Sequence, residues 1–405
     1  MAVALHRERS THRTASDILA HHTEILWEGT MTTATKGRTS AALLTALTLS
    51  LGLASADAAQ ATDLTYGSHL PINHSILVSG FDPFAKAVTE ATGGGITFTS
   101  QPGSSVVSAK TVLTGIGDEL VSSGYLADAY VADQLPTSAF LNGLGMESKG
   151  ILAGSAAMTE LQMLNCPGCE EDLENANAVS MAVSTISPYL MMCNGDISST
   201  ADLVGKKIRY SSSWGMFAAE LGATPVSMPI TDTFEALQRG VVDCVIGAEF
   251  WLESYSLWDT LTTVIDMPLG AFQGAHLVVF NQDVWEDMSA DTHKIIYDNI
   301  PNMTVGIAKQ MVEEASSIRA QAVERGLKYI QPDDAFVAAF ARTQVTAATS
   351  VIEKAESKGI DNATDLAAQF RTLMDKWAAI ADETGDDYAA FADKMRTEIF
   401  DKRAP

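Results

Sequence analysis

The sequence predicts an α/β fold, in two domains or one large bilobed one, and three observations carry that expectation. The chain has 405 residues, more than one small core requires. Hydrophobic residues make up 46% and charged residues 19%, the balance of a folded globular protein. Strand-like and helix-like segments alternate along much of it, the pattern of a parallel sheet covered by helices.

Asp63-Leu64-Thr65-Tyr66 reads as the first strand. Between 76 and 92, apolar residues fall at 77, 81, 84 and 88, a helical spacing. Gly93-Gly94-Gly95 breaks that helix, and Ile96-Thr97-Phe98-Thr99 is the next strand. These glycines read as a turn, because a phosphate-binding loop would follow a strand and open a helix. Lys206-Lys207-Ile208-Arg209-Tyr210 is a strand entered through Gly205. A helix over about 214–221 and a strand over 224–228 follow it. Asp232 can cap a helix that runs to Arg239 and stops at Gly240. The run 243–247 is an apolar strand of the buried kind. From Pro301 to about Glu324, apolar residues at 303, 307, 311, 318 and 322 describe a long amphipathic helix. Two more helices are expected over roughly 333–357 and 364–381. No repeat or Pro-rich linker separates domains, so the lobes are expected to be interwoven by several crossings.

The N-terminus reads as a targeting segment. Lys36 and Arg38 precede an apolar run at 41–53, too short to cross a bilayer comfortably, and alanine-rich Ala-x-Ala sites follow. A secretory signal peptide is therefore expected over 31–61, cleaved after Ala61 to leave Thr62 first, or after Ala58. Residues 1–30, with His6, His12, His21 and His22, read as a disordered upstream extension. Lys and Arg number 26 against 50 Asp and Glu, a formal charge of −24. Removing 1–61 takes five basic and five acidic residues and leaves that charge unchanged. So acidic a chain argues against nucleic acid or an anionic membrane as partner. No cysteine lies near the cleavage point, so no lipid anchor is expected. The mature protein is expected to be soluble and exported.

In an oxidising compartment, Cys166, Cys169, Cys193 and Cys244 would form disulfides, with three pairings available. Cys166-Pro167-Gly168-Cys169 is a C-x-x-C, which as a redox site would need a stabilised thiolate. Glu170, Glu171 and Asp172 follow at once and oppose one. A structural Cys166–Cys169 disulfide is the favoured reading, and an exported thiol oxidoreductase the alternative. No neighbouring histidine completes a zinc site.

Nothing names a catalytic constellation, and neither a cofactor nor a metal is expected. His69, His74, His276 and His293 are scattered singly and read as surface or hydrogen-bonded structural residues. Asp382-Glu383 and Asp386-Asp387 read as solvated surface. Arg209 stands apart, at the end of a strand that opens a strand–helix crossover, where open α/β sheets bind ligands. Its planar fork suits a carboxylate. On spacing alone a surface salt bridge is the better reading.

A family resemblance shifts that balance. Asp202-Leu203-Val204-Gly205-Lys206-Lys207-Ile208-Arg209 resembles the D-L-x-G-x-K-I-R segment of solute-binding proteins of tripartite ATP-independent periplasmic (TRAP) transporters. Leu221-Gly222-Ala223-Thr224-Pro225-Val226-Ser227-Met228-Pro229 is similar to their L-G-A-x-P-V-x-M-P. Thr231-Asp232-Thr233-Phe234-Glu235-Ala236-Leu237-Gln238-Arg239-Gly240-Val241-Val242-Asp243 is similar to their S-E-V-Y-x-A-L-Q-x-G-V-V-D. The likeness extends more loosely from Asp63 to about Asn299.

The resemblance implies a two-lobed, class II-like periplasmic binding protein with a long helix joining the lobes. Lobe one would take 62–186 plus about 273–312. Lobe two would take 187–272 plus about 313–405, with the C-terminal helices. Arg209 would bind a ligand carboxylate. Tyr189 stands where sialic-acid-binding members carry a second Arg, implying one cationic clamp aided by a hydroxyl. Ser212 and His69 match family contact positions. Trp214 would add a ring, or else sit in the core. Asp232 replaces the family Glu, and Gly247 falls where many members place an Asn, so Glu249, Phe250 and Trp251 would reshape that wall. The implied fold puts Cys193 and Cys244 in strands of the second lobe, close enough to bridge. The expected function is a non-enzymatic receptor that hands a small organic carboxylate to an ion-gradient-driven permease. A binding protein of an ATP-driven importer is the remaining rival.

Overall fold

The computed structural model describes residues 61–403. The expected signal peptide, its cleavage points and the 1–30 extension lie outside the described residues. Twelve strands follow in chain order: β1 (Thr62–Gly67), β2 (Ile96–Gln101), β3 (Ser123–Ala127), β4 (Ala178–Ser180), β5 (Val183–Ser184), β6 (Tyr189–Cys193), β7 (Lys207–Tyr210), β8 (Thr224–Ser227), β9 (Cys244–Ala248), β10 (Thr263–Ile265), β11 (Ala275–Asn281) and β12 (Lys328–Ile330).

They form two six-stranded sheets. The first runs β2-β1-β3-β11-β4, with β5 also on β11. In it β1 is parallel to β2 and β3, with Leu64 opposite Phe98 and Tyr66 opposite Ser123, while β11 runs antiparallel. The second runs β12-β10-β6-β9-β7-β8, with β7 parallel to β8 and β9, and β6 antiparallel to β9. β3, β6, β9 and β11 are buried along their whole length, as strands covered on both faces should be.

The chain passes between the sheets three times: from β5 to β6, from β10 to β11, and from β11 to β12 through the 35-residue helix Ala290–Glu324. The first two crossings bond to each other. Tyr189 N donates to Gly270 O at 2.8 Å, Leu269 N to Tyr189 O at 2.8 Å, and Ile186 N to Phe272 O at 3.0 Å. Gly270 has φ +79°, and a Cβ there would run into the Gly145–Met146 backbone, so glycine is needed for this crossing to lie against that segment.

The elements expected from sequence over 63–99 and 206–247 are present. Three features differ. The long helix starts at Ala290 and not at Pro301, which is buried inside it. A buried proline removes one helical hydrogen bond, but Ile296 and Ile300 on one side of it and Met303, Ile307 and Met311 on the other keep one buried stripe continuous. A last helix, Tyr388–Glu398, was not expected; Asp387, read as solvated surface, caps it by accepting from Ala390 N at 3.0 Å. Asp232, expected as a cap, makes no side-chain cap bond to the Thr233–Gln238 helix.

The C-terminal helices are not confined to the second sheet. Ala363–Thr384 packs on the Ile151–Leu164 helix, which itself lies against β5. There Trp377 Nε1 donates to Glu160 at 2.6 Å, and Lys376 pairs with the same carboxylate at 2.8 Å. The Asp334–Ser357 helix is long and apolar enough to cross a membrane by length and composition. Its Phe336 and Phe340 nevertheless pack edge-on against Phe217, with ring centres 5.1 and 5.2 Å away.

Both expected disulfides are present: Cys166–Cys169 at the start of the Pro167–Glu174 helix, and Cys193–Cys244 between directly opposed residues of β6 and β9.

Candidate functional site

Arg209 lies near the carboxyl end of β7, between its parallel neighbours β8 and β9. It is 0% exposed, which overturns the reading of a surface salt bridge. Its Nε donates to Met228 O at 3.0 Å, Nη1 to Ile246 O at 3.4 Å and Nη2 to the Tyr130 hydroxyl at 2.9 Å. The Trp251 ring centre lies 5.4 Å from the guanidinium carbon. Among the described residues the ion-paired arginines are Arg239, Arg319, Arg325, Arg342, Arg371 and Arg396. Arg209, the buried one, has only neutral acceptors. A buried cation without an anion is costly to keep.

Beside it a small cavity opens between the sheets. His69, His74, Tyr125 and Tyr130 line it from the first sheet's side, and Tyr189, Phe250, Trp251 and Tyr255 from the second's. Ile186 and Phe272, from the crossing strands, form its floor. The rings stand close: Tyr189 to Trp251 at 5.3 Å, Phe250 to His74 at 5.2 Å, His69 to Tyr125 at 5.3 Å. Arg209 sits directly behind Tyr130 and Trp251. The Tyr130 oxygen accepts from Arg209 Nη2 and also from Ile230 N at 3.1 Å, which ties the two sides of the cavity together.

Burial fixes the charge of the walls. It pushes the His69 and His74 imidazoles down to about 4 and about 3, so both are neutral near pH 7. His74 Nδ1 accepts from Ile76 N at 3.2 Å, which places the ring proton on Nε2. Burial likewise raises the phenols of Tyr125, Tyr189 and Tyr255, keeping them protonated. Arg209 then stands as a cation beside a cavity whose His69, His74, Tyr125, Tyr189 and Tyr255 walls are neutral.

Of the residues expected from sequence, Arg209, Tyr189, His69 and Phe250 meet here. Trp214 lies one layer behind, in the core: its ring packs on Tyr189 at 4.7 Å and its Nε1 donates to Leu269 O at 2.7 Å. Gly247 contributes no wall, but a Cβ there would strike the Trp251 ring, so this glycine lets Trp251 lie against β9. Ser212 and Asp232 do not reach the cavity. The backbone turns at Ser212, φ +53°, and carries it into a separate groove beside Tyr210 and Met216, while Ser211 faces the Tyr189 hydroxyl at 3.5 Å. Asp232 is exposed. Glu249 turns away to accept from the Tyr329 hydroxyl at 2.6 Å. Sequence reasoning missed Tyr125, Tyr130, Tyr255 and the role of His74. The one available signal was a cluster of tyrosines with Asp128 at the carboxyl end of β3.

Comparison with known proteins bears on the fold that carries these residues. The family model described as "Bacterial extracellular solute-binding protein, family 7" matches residues 167–355. The ectoine-binding periplasmic protein TeaA of Halomonas elongata is 30% identical over 106 residues, 25% of this chain and 30% of that protein. This chain thus spans under a third of that curated relative. A TRAP periplasmic solute-binding protein from Desulfovibrio salexigens superposes with a TM-score of 0.65 at 23% identity, over 78% of this chain and 96% of that one. A marine-metagenome TRAP solute-binding protein specific for aromatic acids, in complex with metahydroxyphenylacetate, gives a TM-score of 0.69 at 20% identity, over 78% and 99%. At such identities the structural likeness establishes the two-lobed fold.

Proposed function

From the match of residues 167–355 to the model of family 7 of the bacterial extracellular solute-binding proteins, and from the shared fold, we propose that this chain is the periplasmic receptor of a TRAP transporter. It captures a small organic carboxylate between two lobes, each built on one of the two sheets, and delivers it to an ion-gradient-driven permease. The mechanism is binding and closure, not turnover. The lobes part to admit the solute and close as Arg209 gains the anion it lacks.

One observation carries this reading: a fully buried guanidinium with only neutral partners, beside a cavity between the sheets. A charge-assisted hydrogen bond in such a place is worth about 1.5–3 kcal/mol. The thiol-oxidoreductase alternative is disfavoured, because Cys166 and Cys169 are 3% and 1% exposed. No substrate disulfide could reach them.

Thermal-shift screening of purified protein against organic acids tests the proposal, with ectoine included. A ligand at 100 times its dissociation constant stabilises by about 2.7 kcal/mol, a readily visible rise in Tm. The expected result is a rise with one or a few carboxylates. A flat response across all carboxylates, with a rise for a neutral solute, would contradict it.

A further inference from the structure

The proposed function assigns the solute's carboxylate to Arg209 and leaves its other end undefined. Besides the guanidinium's neutral setting, two polar atoms of the cavity walls are buried without any hydrogen-bond partner: His69 Nδ1 and the Tyr255 hydroxyl. His69 is 3% exposed and belongs to the first sheet's side of the cavity; Tyr255 belongs to the second's. A third group joins them. His74 Nδ1 is occupied by Ile76 N, which leaves the Nε2–H of this ring as the donor it can offer a ligand. The ring centres of His74 and Tyr255 are 6.1 Å apart, close enough for one ligand group to meet both.

Leaving a buried polar atom unmet costs about 1–3 kcal/mol, and native proteins rarely tolerate several in one place. The walls around them are flat rings, which favour a flat apolar body. Arg209, the cation whose field reaches Tyr255, is already assigned to the first carboxylate, so a second carboxylate would find no cation of its own there. A neutral hydroxyl or amide would satisfy them.

Resting on the assignment of Arg209 as the carboxylate anchor, we propose that Tyr255, His69 and His74 form a second, uncharged subsite. This subsite selects a flat monocarboxylate carrying one neutral hydrogen-bonding group over both its unsubstituted parent and its dicarboxylate analogue.

Calorimetric titration with benzoate, 3-hydroxybenzoate and isophthalate tests this on the wild type and on Tyr255→Phe, His69→Leu and Arg209→Lys. The wild type is expected to bind 3-hydroxybenzoate about tenfold more tightly than benzoate, and isophthalate more weakly than either. In Tyr255→Phe the preference for the hydroxylated acid collapses while benzoate affinity holds; His69→Leu reduces it in the same sense. A preference unchanged in both variants, a tighter isophthalate complex, or binding of none of the three overturns the subsite. Arg209→Lys reports separately on the anchor. Equal weakening of every acid that binds supports it even where the hydroxyl preference fails, and unaltered affinity removes the anchor even where the preference holds.

Discussion

Two buried polar regions lie close together in this molecule, and they are built on opposite rules. Behind β11, Asp128 accepts from Asn142 Nδ2 at 2.6 Å and from Ser138 Oγ at 3.0 Å. Ser138 Oγ meets His276 Nε2 at 3.0 Å, and His276 Nδ1 meets Ser180 Oγ at 2.8 Å. These five side chains answer one another. At the cavity, Arg209 behind the wall has no anion, and His69 Nδ1 and the Tyr255 hydroxyl have no partner. A satisfied network holds a fold together; an unsatisfied one waits for something else. Burial and ionisable character are the same in both regions, so neither marks the site. A buried guanidinium without an anion does.

The largest expected effect breaks the satisfied side. Asp128→Ala leaves the Asn142 and Ser138 donors without their acceptor, at about 1–3 kcal/mol for each unmet group. Urea unfolding should show a loss of roughly 3–5 kcal/mol, with the ligand-induced rise in Tm preserved. Lost binding at unchanged stability would invert the contrast.

The histidines sharpen it through pH. Burial holds His276 at about 3, His74 at about 3 and His69 at about 4, against about 6.5 in the unfolded chain. Between those values the unfolded state binds more protons than the folded one, so stability is complete above about pH 6.5 and falls as pH drops toward 3–4. Each ring contributes on the order of 3 kcal/mol across that window. Asp128, raised to about 8 by burial, acts in the opposite sense: its contribution is present below about pH 4 and lost as pH rises toward 8. His276→Gln should flatten the acid limb of urea midpoints measured against pH and leave ligand affinity alone. His69→Leu should alter both. Indistinguishable behaviour of the two variants would erase the distinction.

A smaller effect tests how the cavity wall is held. Gly247→Ala puts a methyl where the Trp251 ring lies, so the ring must leave its present seat 5.4 Å from the Arg209 guanidinium. The expected cost is about 1–3 kcal/mol of stability with weaker ligand binding, measured by unfolding and calorimetry. The smallest concerns Tyr130. Tyr130→Phe leaves Arg209 Nη2 and Ile230 N without their shared acceptor and should lower ligand-free stability by about 1–2 kcal/mol. The ligand's own oxygens can supply that acceptor, so its thermal shift should grow. A diminished shift would make Tyr130 itself the anion seat.

Much of this was legible in the sequence, and the rest was not for definable reasons. Arg209 announced itself as a cation at a strand end inside a recognisable motif, and Tyr189, His69 and Phe250 followed by position. Ser212 and Asp232 failed because spacing says nothing about where a side chain turns: one positive-φ residue after β7 sends Ser212 into another groove. Tyr130 and Tyr255 were invisible because the cavity is assembled from segments that meet only where the chain crosses between sheets. Pro301 misled as a helix start because a buried stripe outweighed one lost hydrogen bond. Local signals were read well, and meetings between distant segments were not.

The central claim is that the unpaired guanidinium of Arg209 is the carboxylate anchor. Calorimetry of Arg209→Lys and Arg209→Ala with an acid that stabilises the wild type tests it most directly. Arg209→Ala also deprives Met228 O, Ile246 O and Tyr130 of a donor, so Arg209→Lys, which keeps a charge and loses the fork, is the cleaner variant. The account predicts a loss of about 2–5 kcal/mol in binding for Arg209→Ala and clearly weakened binding for Arg209→Lys, each still folded by circular dichroism. Near-wild-type affinity in both would contradict it and place the carboxylate elsewhere.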